Sequence, residues 1–104
     1  MLPVGYFPCT QDPPDGKRVD RLMDELFEQA ELCEEVGFDG FYFTEHHQQA
    51  DAYLPSPVLM AGMVGMRTQR IKVGTCVLLA PLYHPVRLAE DIAVIDQATK
   101  GRMV

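Results

Sequence analysis

The sequence predicts an α/β chain built on a parallel sheet, and three observations carry that expectation. Apolar residues recur at helical spacing in three segments, a strand-length apolar run precedes each segment, and Gly or Pro marks the junctions. The resulting order, strand-helix three times over, forces right-handed crossovers and parallel pairing.

Leu2 to Phe7 reads as the first strand, leaving into a loop that contains Pro8 and the Pro13-Pro14-Asp15-Gly16 turn cluster. From Arg18 to Val36 the apolar residues Val19, Leu22, Met23, Leu26, Phe27, Ala30, Cys33 and Val36 fall on one helical stripe. Asp20, Asp24, Glu25, Glu28, Glu31, Glu34 and Glu35 cover the opposite face, which reads as solvated, and Gly37 suits the left-handed residue that ends a helix. The aromatic run Phe38 to Thr44 is the second strand. Ser56-Pro57 opens a second helix that runs to about Arg67, Ser56 as N-cap and Pro57 at the first helical position. Val58 to Met66 has no polar face, so this helix is expected to be covered on all sides. Ile71 to Leu78 reads as the third strand. Pro85 opens a third helix, Gly101 ends it, and Arg102-Met103-Val104 is placed to open a fourth strand.

The chain has 104 residues, 47% of them apolar, and a formal net charge of −6. Such a balance argues against nucleic acid or an anionic membrane surface as partner. No apolar stretch approaches the ~18 residues of a membrane span, and the start, Met1 to Tyr6, lacks the basic and apolar regions of a signal peptide. Cys9, Cys33 and Cys76 are odd in number and form no CxxC pair, which favours reduced thiols in a cytoplasmic setting over a disulfide framework or zinc site.

In parallel α/β folds ligands bind at the carboxyl ends of the strands. Glu45-His46-His47 follows the second strand and holds two of the three histidines. Period-two alternation puts Gly40, Tyr42, Thr44 and His46 on one face and Phe41, Phe43, Glu45 and His47 on the other. With the phenylalanines facing the helices, His46 points into the mouth of the sheet. An imidazole titrates near neutrality and carries two ring nitrogens, so His46 is a candidate proton carrier; the alternative is a histidine that hydrogen-bonds loop backbone. No metal site is expected, because neighbouring strand residues do not converge on one ion and no cysteine or carboxylate has matching spacing.

The third strand ends in Gly74-Thr75-Cys76-Val77, where small residues would admit a flat ligand close to the backbone. Cys76 reads as an inert half-buried thiol and His84 as a structural residue before Pro85. Neither GxGxxG nor GxxxxGK[ST] occurs, so any cofactor phosphate must be gripped by residues outside this segment.

In one order the chain carries Gly5-Tyr6-Phe7, Pro13-Pro14, Gly37-Phe38-Asp39, Glu45-His46-His47, Ser56-Pro57, Ile71 to Thr75, Pro81, His84 to Asp91, Asp96-Gln97 and Gly101-Arg102. Taken together these resemble the N-terminal portion of the bacterial luciferase-like flavin-dependent monooxygenase family. The resemblance implies a (β/α)8 TIM barrel of which this chain holds the first three βα units. A closed barrel takes about 250 residues, so the chain is expected to be a fragment, inactive in isolation.

The resemblance further implies that reduced FMN, or F420 in related branches, binds at the barrel mouth, and that O2 and the reduced flavin oxidise a small organic substrate such as an aldehyde. His46 matches the first histidine of the family's Glu-His-His motif, with a proton-handling role. Thr75, Cys76 and Val77 match the flavin-contacting end of the third strand, where a non-proline cis peptide is expected between Cys76 and Val77. Phe7 matches a position at the floor of the same pocket. A flavin reductase is implied as supplier. A homo- or heterodimer is implied through the helices at about 57–67 and 85–99, with Ala61, Gly62 and Gly65 permitting close approach of the other subunit. Two other functions stay open: F420-dependent hydride transfer, and a non-catalytic luciferase-like flavoprotein or partner subunit.

Overall fold

Three parallel strands lie in chain order in the computed structural model, which describes residues 1–104. The elements are β1 (Gly5–Tyr6), α1 (Val19–Val36), β2 (Gly40–Phe43), α2 (Pro57–Arg67), β3 (Lys72–Thr75) and α3 (Pro85–Ala98), with a 3-10 turn at Ala80–Leu82. Gly5, Gly40 and Lys72 share one row of the sheet, and Tyr6, Phe41 and Val73 the next.

The helices follow the sequence reading, but the strands are shorter than their apolar runs. Pro3 and Pro8 lack N–H groups, so β1 keeps two residues. Outside it, Val4 receives Asp39 and Gly40 N–H groups on its carbonyl at 2.8 and 3.3 Å. β3 stops at Thr75, just before the cis Cys76–Val77 peptide. A second cis bond joins Pro13 to Pro14. The fourth strand is one parallel bridge, Val73 to Met103, flanked by hydrogen bonds of 2.9 Å to Arg102 and Val104.

Alternation in β2 sends Phe41 and Phe43 to the helix side, where both are fully buried. They meet Leu26, Ala30 and Cys33 of α1 and Met60, Ala61 and Val64 of α2 to form the core. Truncating a phenylalanine at such a position costs ~3 to 5 kcal/mol. Of the predicted stripe on α1, Leu26, Ala30 and Cys33 are buried and Leu22, Met23 and Phe27 pack partly buried against the core, while Val36 lies exposed at the helix end. Gly37 closes α1 with φ 95°, returning its N–H to the Cys33 carbonyl. Ser56 occupies the N-cap position of α2 but makes no side-chain capping bond.

Two expectations about small residues change. Ala61 is fully buried in the core, and Gly65 is buried where an added Cβ would collide with the Thr99 methyl group of the same chain. Gly62 faces Ile95 of α3, where an added Cβ would stand 3.1 Å from its side chain. Gly62 and Gly65 therefore seat α3 and its end on α2, Ala61 packs in the core, and none of the three is free for another subunit. The outer face of α2, Leu59, Met63 and Met66, is exposed where complete cover was expected, and α3 buries no residue fully. No helix is long and apolar enough to cross a membrane.

Candidate functional site at the carboxyl ends of the strands

The face of the sheet opposite the helices is paved with glycine and one large ring. Tyr42 lies flat across Gly5 and Gly40, whose added Cβ atoms would come within 2.7 and 2.5 Å of it. A side chain at either glycine would force that ring to move. Phe7, just past β1, stacks on Tyr42 with centroids 5.5 Å apart and planes 28° apart, and its side of the pair is 51% exposed. The space expected beside Gly74 for a flat ligand is instead filled by the Val104 carbonyl.

His46 follows β2 on the mouth side. Its backbone N–H donates to the Leu54 carbonyl at 3.0 Å, and Leu54 in turn donates to the Thr10 carbonyl at 3.0 Å. The first bond closes the loop after β2 on itself, and the second laces it to the loop after β1. The His46 ring stacks on Tyr53 at 3.7 Å and 13°, which fixes the imidazole plane. Of the three histidines, His47 has the ring nitrogen bonded within the chain, at 2.7 Å from Glu45 Oε1.

Glu45 points the other way and is 3% exposed. Its carboxylate accepts the Leu79 N–H at 2.6 Å and the Tyr83 hydroxyl at 3.0 Å, besides the His47 ring. Burial pushes the Glu45 pKa up, but these donors outweigh it and leave the group below the ordinary carboxylate value, ionised at neutral pH. The same pair acts oppositely on Tyr83, whose pKa is pushed up to about 12 by burial and the Glu45 charge. Cys76 and Val77 stand exposed between these anchors and β3, and Thr75 is half-buried.

The structure therefore brings Phe7, His46 and the Thr75–Val77 segment to one end of three adjacent strands, while His84 begins α3 without a side-chain cap. The residues present suit a flat heteroaromatic ring: exposed Phe7 and Val77 offer apolar surface, and a half-buried imidazole lies one strand away. Arg18 and Arg87 are already paired, with Asp12 and Asp91. No group of three or more His, Cys, Asp or Glu side chains is arranged to hold a metal. The larger concavities lie elsewhere, about 630 Å³ between α2 and α3 and about 490 Å³ at the amino end of the sheet. Three strands make one wall of a mouth.

Sequence reasoning missed Glu45, Tyr53, Tyr42 and Tyr83. Glu45 carried a signal: alternation put a carboxylate on the buried face, where charge needs donors. The tyrosines gave none: Tyr83 reaches a carboxylate 38 residues away, and the stacking of Tyr53 on His46 and of Tyr42 on Phe7 has no sequence pattern.

The alkanal monooxygenase alpha chain of Photorhabdus laumondii is 35% identical to this chain over 101 residues, 97% of this chain and 28% of its own length. A flavin-dependent trigonelline monooxygenase, oxygenase component, of Acinetobacter baylyi is 28% identical over 89 residues, 86% of this chain and 25% of its own. Among solved structures, the oxygenating constituent of 3,6-diketocamphane monooxygenase from the CAM plasmid of Pseudomonas putida, in complex with FMN, matches with a TM-score of 0.86. Its identity is 26%, and the match covers 98% of this chain and 28% of that one. The three parallel βα units thus correspond to the leading portion of a luciferase-like TIM barrel, and the chain spans under a third of its relatives. A family model described as luciferase-like monooxygenase matches residues 3–104, which takes in every strand and helix described above, and the chain belongs to that family.

Proposed function

We propose that the intact protein containing this chain is a flavin-dependent monooxygenase that uses reduced FMN and O2 to oxidise a small organic substrate such as an aldehyde. The observation that carries this reading is the meeting of Phe7, His46 and Thr75–Val77 at one end of a sheet whose family is luciferase-like. Bound reduced flavin would supply the electrons for oxygen activation. Phe7, Thr75, Cys76 and Val77 would contact the isoalloxazine ring, and the phosphate grip would come from residues outside this segment. His46, held flat against Tyr53, would take up or release a proton beside the ring.

A separate flavin reductase would supply the cofactor, in keeping with the component naming of the trigonelline and diketocamphane enzymes. Exposed Leu59, Met63, Met66 and Val94 suit a homo- or heterodimer through the helices at about 57–67 and 85–99. The free thiols suit a cytoplasmic setting.

The deciding experiment is His46→Ala in the full-length protein, followed as oxygen uptake with reduced FMN and substrate. A fall in kcat of about 10²- to 10⁴-fold is expected for loss of a general acid-base group. Undiminished turnover removes the assigned role. Titration with FMN against F420 decides the cofactor branch, and light scattering that finds a monomer refutes the dimer.

A further inference from the structure

We infer that Glu45 is a positioning residue: its buried carboxylate tethers the Cys76–Leu79 segment to the end of β2, so that the flavin-facing edge of that segment and the His46 imidazole keep one spacing. This role rests on the flavin reading above and gives it a residue whose side chain points away from the mouth.

Between Cys76 and His84 the chain buries no residue fully, and Val77 is 62% exposed. Packing therefore does not hold this loop. The bonds of its 3-10 turn, Leu82 N–H to the Leu79 carbonyl and Tyr83 N–H to the Ala80 carbonyl, are internal and fix its shape without fixing its place. What fixes its place is the line of β2. The Cys76 N–H donates to the Phe43 carbonyl at 2.8 Å, and two residues past the end of β2 the Glu45 carboxylate takes the Leu79 N–H at 2.6 Å. Residues 77 and 78 are thus strung between two anchors, one at the last residue of β2 and one just beyond it. The Tyr83 hydroxyl, at 3.0 Å from the same carboxylate, secures the far end of the turn.

His46 is the next residue along the same backbone, so any movement of Glu45 relative to the loop is a movement of His46 relative to Cys76 and Val77. The charge on Glu45 matters to the tether. All three groups around it are donors, counting the His47 ring as the N–H partner, and a carboxylate is an acceptor at both oxygens. A glutamine in its place would turn an NH2 group toward one of those donors.

The test compares Glu45→Gln and Tyr83→Phe with the wild type in the full-length protein. It reads the Kd for FMN, the visible absorption band of bound flavin, amide exchange at residues 76–83 without flavin, and the thermal midpoint. Glu45→Gln is expected to raise the Kd by about tenfold or more, shift the band, and speed exchange at 76–83 while α1 and α2 keep theirs. Tyr83→Phe moves the same readings by about threefold, since one neutral donor is lost. Unchanged exchange and Kd in both variants overturn the role. So does a lowered thermal midpoint with Kd and absorption band unchanged, which is what a merely structural carboxylate would give. If Glu45→Gln fails to fold, Tyr83→Phe decides by exchange and Kd. A wild type that binds no flavin sinks the flavin reading instead, and exchange at 76–83 still decides the tether.

Discussion

At the amino end of the sheet, charged side chains spend themselves on backbone; at the carboxyl end, most side chains remain uncommitted. Glu34, near the end of α1, accepts the N–H groups of Gln69, Arg70 and Ile71. Arg102 donates to the Gly65, Thr68, Ile71 and Thr99 carbonyls and to the Thr68 hydroxyl, joining the ends of α2 and α3 to the start of β3. Asp39 accepts the Val4 N–H at 2.7 Å. At the other end Phe7, Cys76 and Val77 are exposed, His46 is held by stacking, and the buried carboxylates Asp12 and Glu45 take backbone N–H groups as Glu34 does below. The difference teaches how a βα unit divides its labour: one end is closed on itself by ionic and backbone bonds, and the other presents chemistry.

Substitutions that respect or cross this division sharpen it. The largest loss of stability is expected for Arg102→Ala, about 3 to 4 kcal/mol in denaturant unfolding of the full-length protein, because several carbonyls lose a charged donor at once. Glu34→Gln should cost about 1 to 2 kcal/mol in the same assay, since Glu34 is only half-buried and water replaces part of what is lost. His46→Ala should leave stability within about 1 kcal/mol while removing turnover, since its ring contact is one stack on Tyr53. Arg21→Gln, which removes an exposed pair with Glu25 on α1, should change stability by no more than about 0.5 kcal/mol. Equal losses for Arg102→Ala and His46→Ala would erase the distinction between the two ends.

The same division has a pH signature. Glu34 and Glu45 lie below the ordinary carboxylate value because, although burial raises them, backbone N–H donors hold the charged form; Asp12 is lowered by its bond from the Arg18 N–H. Their folded pKa values fall below their unfolded ones, so their contribution is complete above about pH 4 to 4.5 and is lost as pH falls further. Tyr83 has the opposite sign. Its contribution is complete below about pH 10 and is lost as pH rises toward about 12. Unfolding curves across pH should therefore be flat near neutrality and fall at both extremes. Phenolate absorbance should report Tyr83 titrating above the ordinary tyrosine range, and Glu45→Gln should bring it earlier.

Much of the fold was legible because it depends on local periodicity. The helical stripe from Leu22 to Cys33, the Pro57 and Pro85 starts and the Gly37 stop each act within a few residues. Parity along β2 was equally local, and it separated Phe41, Phe43 and Glu45 from His46 before any contact was known. Strand lengths were not legible, since pairing depends on neighbours that the apolar runs do not describe. The roles of Arg102, Glu34 and Glu45 were hidden for a related reason: apart from Thr99 and His47, their partners stand 31 to 38 residues away in sequence. The acidic face of α1 looked uniformly solvated, and Glu34 is its exception. The outward face of α2 was misjudged because apolar character cannot say whether cover comes from the same chain.

Glu45, His46 and His47 alternate across a single strand line, and their jobs alternate with them. A one-residue deletion between Phe43 and Glu45 would exchange the two sides, carrying a carboxylate into the mouth and the His46 imidazole against Leu79 and Tyr83. The tripeptide is thus a reading frame in space: changing one letter removes one job, but shifting them by one inverts the message. Grafts or chimaeras between family members should keep the stretch from Gly40 to His47 in register as one piece, whatever is changed in the loop that follows.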